Sequence, residues 1–584
     1  MRKTVKALAF GALAVGVALS AACTKNTGDS GTNKQAEAQK FIVDYKGETV
    51  TPAPEVDGAK PGGTMTVVQE ADFEHLDPTQ IYVSNALNYS QLFYRTLTTY
   101  IETGKEGETV KLVGDLATNA GETTDGGKTW KYTLRDGLKY EDGTAITSKD
   151  VAYTVSRSFG TFGAQGPQFL QHALDANYGK DGGYQGPTAD KPYAPGISTP
   201  DDKTIIFSFA TPHLEVPYLT AFPTTAPIPA AKDTKEKYER EFVSSGPYKR
   251  KEYVAGTKLV LEKNPNWDSK TDPLRHQYVD QWVFDMTADP KAQTDRLTAA
   301  TGADAAAVMM DNVPPDQIPN VKGNAEVMKR VATGPNQYVY YLDINTTRVT
   351  DVDVRRALNY AFDRDAYIKA LGGPDVADPA TTIQSPVLPS YKKFDVYPSL
   401  PDGHGDVEKA KKLLEGKTVP KLTFCTSNTT ANQQVAAVMV ESFKRAGLEI
   451  TTKFIERSAY YTTVGVKGVD CDLITAAWGQ DYPDSESVLG TIMDGTKITA
   501  EGNNNYSYFN ESTINDKLKT LREMQDRGAA AALYGDLDEQ IMRDFAPIVP
   551  LRYGRNFTIA GPNVGGTFLN QYSQFNATSS FVKS

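Results

Sequence analysis

"KLTFCTSNTTANQQVAAVMVESFKRAGLEITTKFIE" (Lys421–Glu456), followed by "CDLITAAW" (Cys471–Trp478), decides the fold. "KLTFCTSN" reads as a strand, and "ANQQVAAVMVESFKRAGLEI" as a helix stopped by Gly447. "LEITTKFIE" and "CDLITAAW" read as two more strands. Strand, helix, strand, helix, strand at this spacing implies right-handed parallel crossovers and an open α/β sheet. In such sheets ligands bind outside the carboxyl ends of the strands. The last of these strands runs out into "GQDYPDSESVLG" (Gly479–Gly490), where Asp481 stands between Trp478 and Tyr482. A carboxylate at that edge, flanked by two aromatic rings, is a candidate ligand contact. The competing reading makes "DYPD" a plain strand-ending loop, with Asp481 capping a helix that begins near Asp484–Ser487.

The same strands bear on the cysteines. Apart from Cys23 the chain has only Cys425 and Cys471. Cys425 lies late in its strand and Cys471 begins its own, so two parallel neighbours would hold the sulfurs several residues out of register. That exceeds what a disulfide spans, and two buried free thiols are the preferred reading. No CxxC pair occurs, and His75, His172, His213, His276 and His404 show no metal-ligand spacing. No cofactor is called for.

Outward from this region, "DVRRALNYAFDRDAYIKALGG" (Asp353–Gly373) reads as one helix closed by Gly372, with Val354, Leu358, Phe362, Ile368 and Leu371 on one face. In the first half, "PGGTMTVVQE" leads into a strand, and "TWKYTLRDGLKYEDGTAIT" (Thr129–Thr147) reads as a hairpin. "TSKDVAYTVSRSF" (Thr147–Phe159) starts a helix capped by Thr147 or Ser148, and "KTIIFSFA" and "TKLVLEKN" alternate like strands.

Arg2, Lys3 and Lys6 precede a 16-residue apolar run, Ala7–Ala22, which reads as an export signal. It ends in "LSAAC", similar to a bacterial lipoprotein cleavage box with Cys23 as the lipidated residue. Ser20 stands where a large aliphatic residue is usual, which keeps an ordinary cleavage site open. Residues Thr24–Lys60 are polar and read as a flexible tether. Its "GDSG" is read as chance. The chain after the signal carries 59 basic and 72 acidic residues, a net charge of −13 that disfavours nucleic acid as a partner. About 524 residues remain beyond the tether, enough for two or three lobes.

Several further segments carry a resemblance. "GGTMTVVQEADFEHLDPTQ", "LFYRTLTTY", "DGGKTWKYTLRDGLKYEDGTAITSKDVAYTVSRSF", "SSGPYKRKEYVAGTKLVLEKNPNW", "YLDINTTRVTDVDVRRALNYAFDRDAYIKA", "AWGQDYPDSESVLG" and "IMRDFAPIVPL" occur in this order from Gly62 onward. In them the chain resembles the extracellular solute-binding proteins of family 5, the peptide-binding lipoproteins that feed ABC importers. The resemblance implies an α/β, two-lobe, periplasmic-binding-protein-like (Venus-flytrap) fold that closes on its ligand by hinge motion. It also implies an extra subdomain in the first lobe. The implied limits are 61–88, 195–285 and 545–584 for lobe I, 89–194 for the subdomain and 286–544 for lobe II.

It further implies that Asp481 pairs with a peptide's α-ammonium, with Trp478 and Tyr482 as apolar or cation–π walls. The segment after "LDP" would hold the ligand's main chain, with Tyr82, Val83 and Ser84 as candidates, although this chain is one residue shorter there. Some oligopeptide binders place an arginine three residues before the tryptophan; Thr475 stands there, so the resemblance does not extend to capture of a free C-terminus at that point. Asn503–Asn505 and Tyr506 are read as a polar surface loop rather than cleft lining. The expected partners are a peptide and an ABC permease, with the protein monomeric and lipid-anchored on the extracytoplasmic face. The rival readings are another solute on the same fold, such as an oligosaccharide or an amine-bearing compound, and an exported hydrolase. For the hydrolase no G-x-S-x-G or H-E-x-x-H motif is found.

Overall fold

The computed structural model describes residues 40–45, 47–105, 108–401 and 403–583. Two principal sheets organise it. A five-stranded sheet has the order Ala307–Met309, Thr64–Val68, Gln281–Asp285, Lys258–Lys263, Tyr248–Val254. A six-stranded sheet has the order Ala377–Pro379, Ile548–Ile559, Val331–Ile344, Leu473–Trp478, Leu422–Ser427, Ile450–Ile455. Each sheet has its own large apolar core. One gathers around Met65, Val67, Trp282 and Phe284, the other around Leu342, Phe424, Leu473 and Ile541.

Two long strands join the halves. Val331–Ile344 and Ile548–Ile559 pair antiparallel along most of their length. Their inner parts belong to the six-stranded sheet. Their outer ends reach the five-stranded one, where Val308 bridges Ala560 and Val313 N–H donates to Phe557 O. The ladder is interrupted between Pro335 and Val339 and again between Tyr340 and Tyr341. Pro335 has no N–H to give to a ladder, so an irregularity there is expected. Such bulges re-aim the side chains they carry, and here they present Gln337 and Tyr338 to the space between the sheets.

The three-strand reading of Lys421–Trp478 holds. Leu422–Ser427 is parallel to Ile450–Ile455 on one side and to Leu473–Trp478 on the other. The helix between the first two spans Thr430–Arg445, and Gly447 takes a φ of 87° just beyond it. The helix after Thr147 also holds, as Ser148–Arg157. The Thr147 backbone N–H donates to the Asp150 carboxylate at 2.8 Å, satisfying the entry to the first turn.

Four expectations are corrected. Cys425 and Cys471 form a disulfide with a Cα–Cα distance of 5.8 Å. The strand begins at Leu473, not at Cys471, so Cys471 sits in the approaching turn. That turn folds back over the sheet, with Cys471 N–H on Val469 O and Asp472 N–H on Thr423 O. The register argument therefore does not apply to it.

The single helix at 353–373 is two helices, Val352–Ala361 and Arg364–Ala370. Asp363 breaks the run by capping the second, accepting from Ala366 N–H at 2.9 Å. The strand Thr129–Thr133 pairs with the distant Thr204–Ser208 rather than within a local hairpin. Only a short turn remains, with Ile146 N–H donating to Leu138 O at 3.0 Å.

The tether expected to run to Lys60 is corrected from residue 40 onward, where the chain is ordered against the body. Lys40–Val43 adds in parallel to Thr109–Leu112, Tyr45 stacks on Trp130 at 6.2 Å, and Ala53 N–H donates to Asp272 O at 2.8 Å. "KFIV" supplies enough apolar, β-forming surface to join an edge. Cys23 lies outside the described residues.

Candidate functional site

The chain leaves the six-stranded sheet at Trp478 and crosses toward the other half. Trp478 packs against the second core, whereas Tyr482, four residues on, is buried in the first. Asp481 lies in this crossing. The segment is fixed beyond it by Asp484, which caps the short helical turn Ser485–Ser487 by accepting from Glu486 N–H at 3.0 Å. Asp484 also accepts from Arg527 Nε at 2.9 Å. The cap expected in the rival reading of "DYPD" is therefore Asp484, which leaves the Asp481 carboxylate for another use.

Asp481 lines a cavity of about 310 Å³ between the two sheets. Ligand pockets run from about 300 to 1,000 Å³, so this one is small. All six residues expected at the ligand, Tyr82, Val83, Ser84, Trp478, Asp481 and Tyr482, line it. From the opposite side the Tyr82 hydroxyl donates to Asp481 Oδ1. Val83 precedes the helix Ser84–Ser90, and Ser84 Oγ accepts from Gln337 Nε2 at 3.0 Å. Trp478 Nε1 donates to Ser487 O at 2.9 Å, which holds the indole as a wall. Tyr482 stacks on Tyr218 at 5.6 Å and meets Phe169 edge-on at 5.9 Å. Phe169 also packs edge-on against the Tyr82 ring at 6.2 Å, so the faces on both sides of Asp481 share one aromatic cluster.

Enclosure by protein pushes the Asp481 carboxyl up from 3.8 to about 7; the Tyr82 hydrogen bond opposes this only in part. The causes act in that order because a dehydrated carboxylate loses more hydration than one neutral donor returns. Partial enclosure of the phenol, with the Asp481 charge beside it, pushes Tyr82 well above its ordinary range. Tyr82 therefore stays a donor. Behind Gln571, outside the cavity lining, Glu102 accepts from Gln571 N–H at 3.1 Å, and burial raises its carboxyl to about 8.

Thr475 is turned away from this chemistry. Its hydroxyl donates to Thr426 Oγ1 at 2.8 Å, and its carbonyl accepts from the Tyr460 hydroxyl at 2.6 Å. Asn503 and Asn505 are corrected: both are buried and spent on local main chain, on Gly465 O and Phe509 O, and are not a surface loop. Gln337, Tyr338, Tyr218, Phe222, Gln571 and Tyr572 also line the cavity and were not foreseen. For Gln337 and Tyr338 a signal existed in "GPNQY", where proline and glycine inside a strand mark a bulge. Gly479 belongs with them: a Cβ there would meet Gln337 Cγ at 2.8 Å and the Tyr338 ring at 2.9 Å.

A family model for bacterial extracellular solute-binding proteins, family 5 middle, matches residues 111–500. The periplasmic oligopeptide-binding protein OppA of Salmonella typhimurium is 27% identical over 461 residues, covering 75% of this chain and 79% of OppA. The probable D,D-dipeptide-binding periplasmic protein DdpA of Escherichia coli is 23% identical over 519 residues, covering 87% of this chain and 91% of DdpA. Among solved structures, the clavulanic acid biosynthesis oligopeptide binding protein 2 superposes with a TM-score of 0.84 at 28% identity. It covers 92% of this chain and 99% of that one. The fold is thereby the two-lobe α/β fold of the periplasmic peptide-binding proteins.

Proposed function

Because the chain belongs to the family 5 bacterial extracellular solute-binding proteins, we propose that it captures peptides between its two lobes for an ABC importer. In this reading it is a binding component and performs no catalysis. The observation that carries it is the meeting of Asp481 and Tyr82 across the inter-sheet cavity. A carboxylate dehydrated by closure attracts an ammonium strongly and is costly without a partner. Asp481 thus favours closure around a cationic amine, for which the peptide α-ammonium is the common case. Trp478 and Tyr482 supply rigid walls, and Tyr82, Val83 and Ser84 form the facing rim. The lobe limits are those implied by the family: lobe I from 61–88, 195–285 and 545–584, its subdomain from 89–194, and lobe II from 286–544.

The test is calorimetric. Asp481→Ala should weaken peptides with a free α-amine by about 2–5 kcal/mol, the usual cost of truncating one member of a buried charge pair. N-acetylated peptides should change little. Equal losses for both would remove Asp481 from the role.

We also propose that the mature protein is anchored by lipid on Cys23 and works as a monomer on the extracytoplasmic face. The basic and apolar leader and the small residues before Cys23 support this. Cys23→Ala should move the protein from the membrane fraction to the soluble one, and continued membrane association would contradict the anchor.

A further inference from the structure

We propose that the chamber takes a short primary amine without a free carboxylate, whose simplest peptide form is a dipeptide ending in an amide. The proposal rests on the peptide-binding reading and narrows its ligand.

Charge is the first observation. Among the described residues lining the chamber, Asp481 is the one acid and none is Lys, Arg or His. Cations beyond the lining are engaged elsewhere; Arg275, on the far side of Tyr572, is paired with Asp115 and Asp272. Arg527 is held by Asp484 beyond Pro483, and the Arg552 guanidinium lies 3.4 Å over the Tyr340 ring. Position 475 carries a threonine bonded to Thr426. A free carboxylate in this space would be dehydrated, would find no cation, and would share the chamber with the Asp481 charge. Desolvation and like-charge repulsion both count against it.

The second observation is an acceptor. Gln480 lines the chamber, and its buried Oε1 has no hydrogen-bond partner among the described residues. A buried carbonyl oxygen left unpaired costs free energy that a ligand donor can recover. Gln337 offers no equivalent, because its amide already joins Ser84 and Ser573 at 3.0 Å each. The chamber therefore presents Asp481 to whatever enters, and a rotation of the Gln480 side chain would add its unpaired oxygen as a second acceptor. An ammonium satisfies the first and a carboxamide N–H₂ satisfies the second. A carboxylate has no hydrogen to give to either.

Size and surface complete the argument. At about 310 Å³ the chamber sits at the low end for ligand sites. Its walls are the rings of Phe222, Tyr338, Trp478 and Tyr572. Such a lining suits one apolar or aromatic side chain carried on a compact body.

The test compares three probes by titration calorimetry on the purified protein: alanyl-phenylalanine, its C-terminal amide, and the N-acetylated amide. The amide is expected to bind at least tenfold more tightly than the free acid, and N-acetylation to cost at least tenfold again. Free acid binding as tightly as amide overturns the proposal. So does an absence of binding by all three probes. In that case a longer free-acid peptide that binds would leave the peptide reading standing, and failure of peptides of every length would remove both. A second arm uses Gln480→Lys, which replaces the unpaired acceptor with a cation. It should narrow or reverse the preference for amide over acid, and an unchanged ratio contradicts the charge argument.

Discussion

At the scale of single residues, Asp481 sets a pH window. Its carboxyl shifts from 3.8 to about 7 on folding, chiefly by desolvation. Between those values the folded protein holds a proton that the unfolded chain has released. This group's contribution to stability therefore falls as pH rises through that interval and is flat above it. Binding runs the other way. An amine needs the ionised carboxylate, so its affinity should rise about tenfold per pH unit up to pH 7. It should then decline as the ligand's own ammonium, near 7.7–8.0, is lost. Calorimetry from pH 5 to 9 should trace that bell, and Asp481→Asn should abolish its acid limb; an acid limb that survives the substitution would assign it to another group. Asp481, Trp478 and Tyr482 were legible because one short stretch carries them beyond a recognisable strand. Gln571 and Tyr572 were not, because they reach the chamber from a turn remote in sequence; "GPNQY" marks a bulge at Gln337 and Tyr338 but not the cavity it faces, and composition does not mark which tyrosine of 31 faces a cavity.

At the scale of elements, local signals were sound where a side chain decides the outcome alone. Thr147 and Asp150 open a helix, and Gly447 follows the end of another. They failed where a local rule meets a competing one. The apolar face of 353–373 is continuous, yet Asp363 caps a second helix inside it and also receives Arg445 Nη2 at 3.0 Å. The strand Thr129–Thr133 has the pattern of a hairpin arm, but its partner lies some 70 residues on. No local pattern encodes that pairing. The cysteines show the same limit, since their bond depends on a turn that brings Cys471 back over its neighbour's strand. The bridge closes a span of 46 residues next to the strand that delivers Asp481. The double variant Cys425→Ala/Cys471→Ala should lose about 2–4 kcal/mol in urea unfolding. Two thiols reactive in the unfolded, unreduced protein would show that the bridge does not form.

At the scale of the whole molecule, two principal sheets, each with a large core, are joined by a crossing segment. Val331–Ile344 and Ile548–Ile559 tie the halves together, and the loop 479–484 leaves one core at Trp478 and enters the other at Tyr482. Asp481 is held at the boundary by that geometry. Its partner comes from the opposite half, and the bulged residues Gln337 and Tyr338 close the side. The two-lobe plan was legible from the order of family-like segments along the chain. The small volume of the chamber and its lack of a lining cation among the described residues were not, because both depend on how the halves meet.

The most direct test of peptide capture is native mass spectrometry of the purified protein, followed by release and fragmentation of what it carries. The account predicts bound masses that fragment into amino acids, lost when Asp481 is replaced by alanine. Masses spaced by hexose units, or a bound compound without an amine, would contradict it.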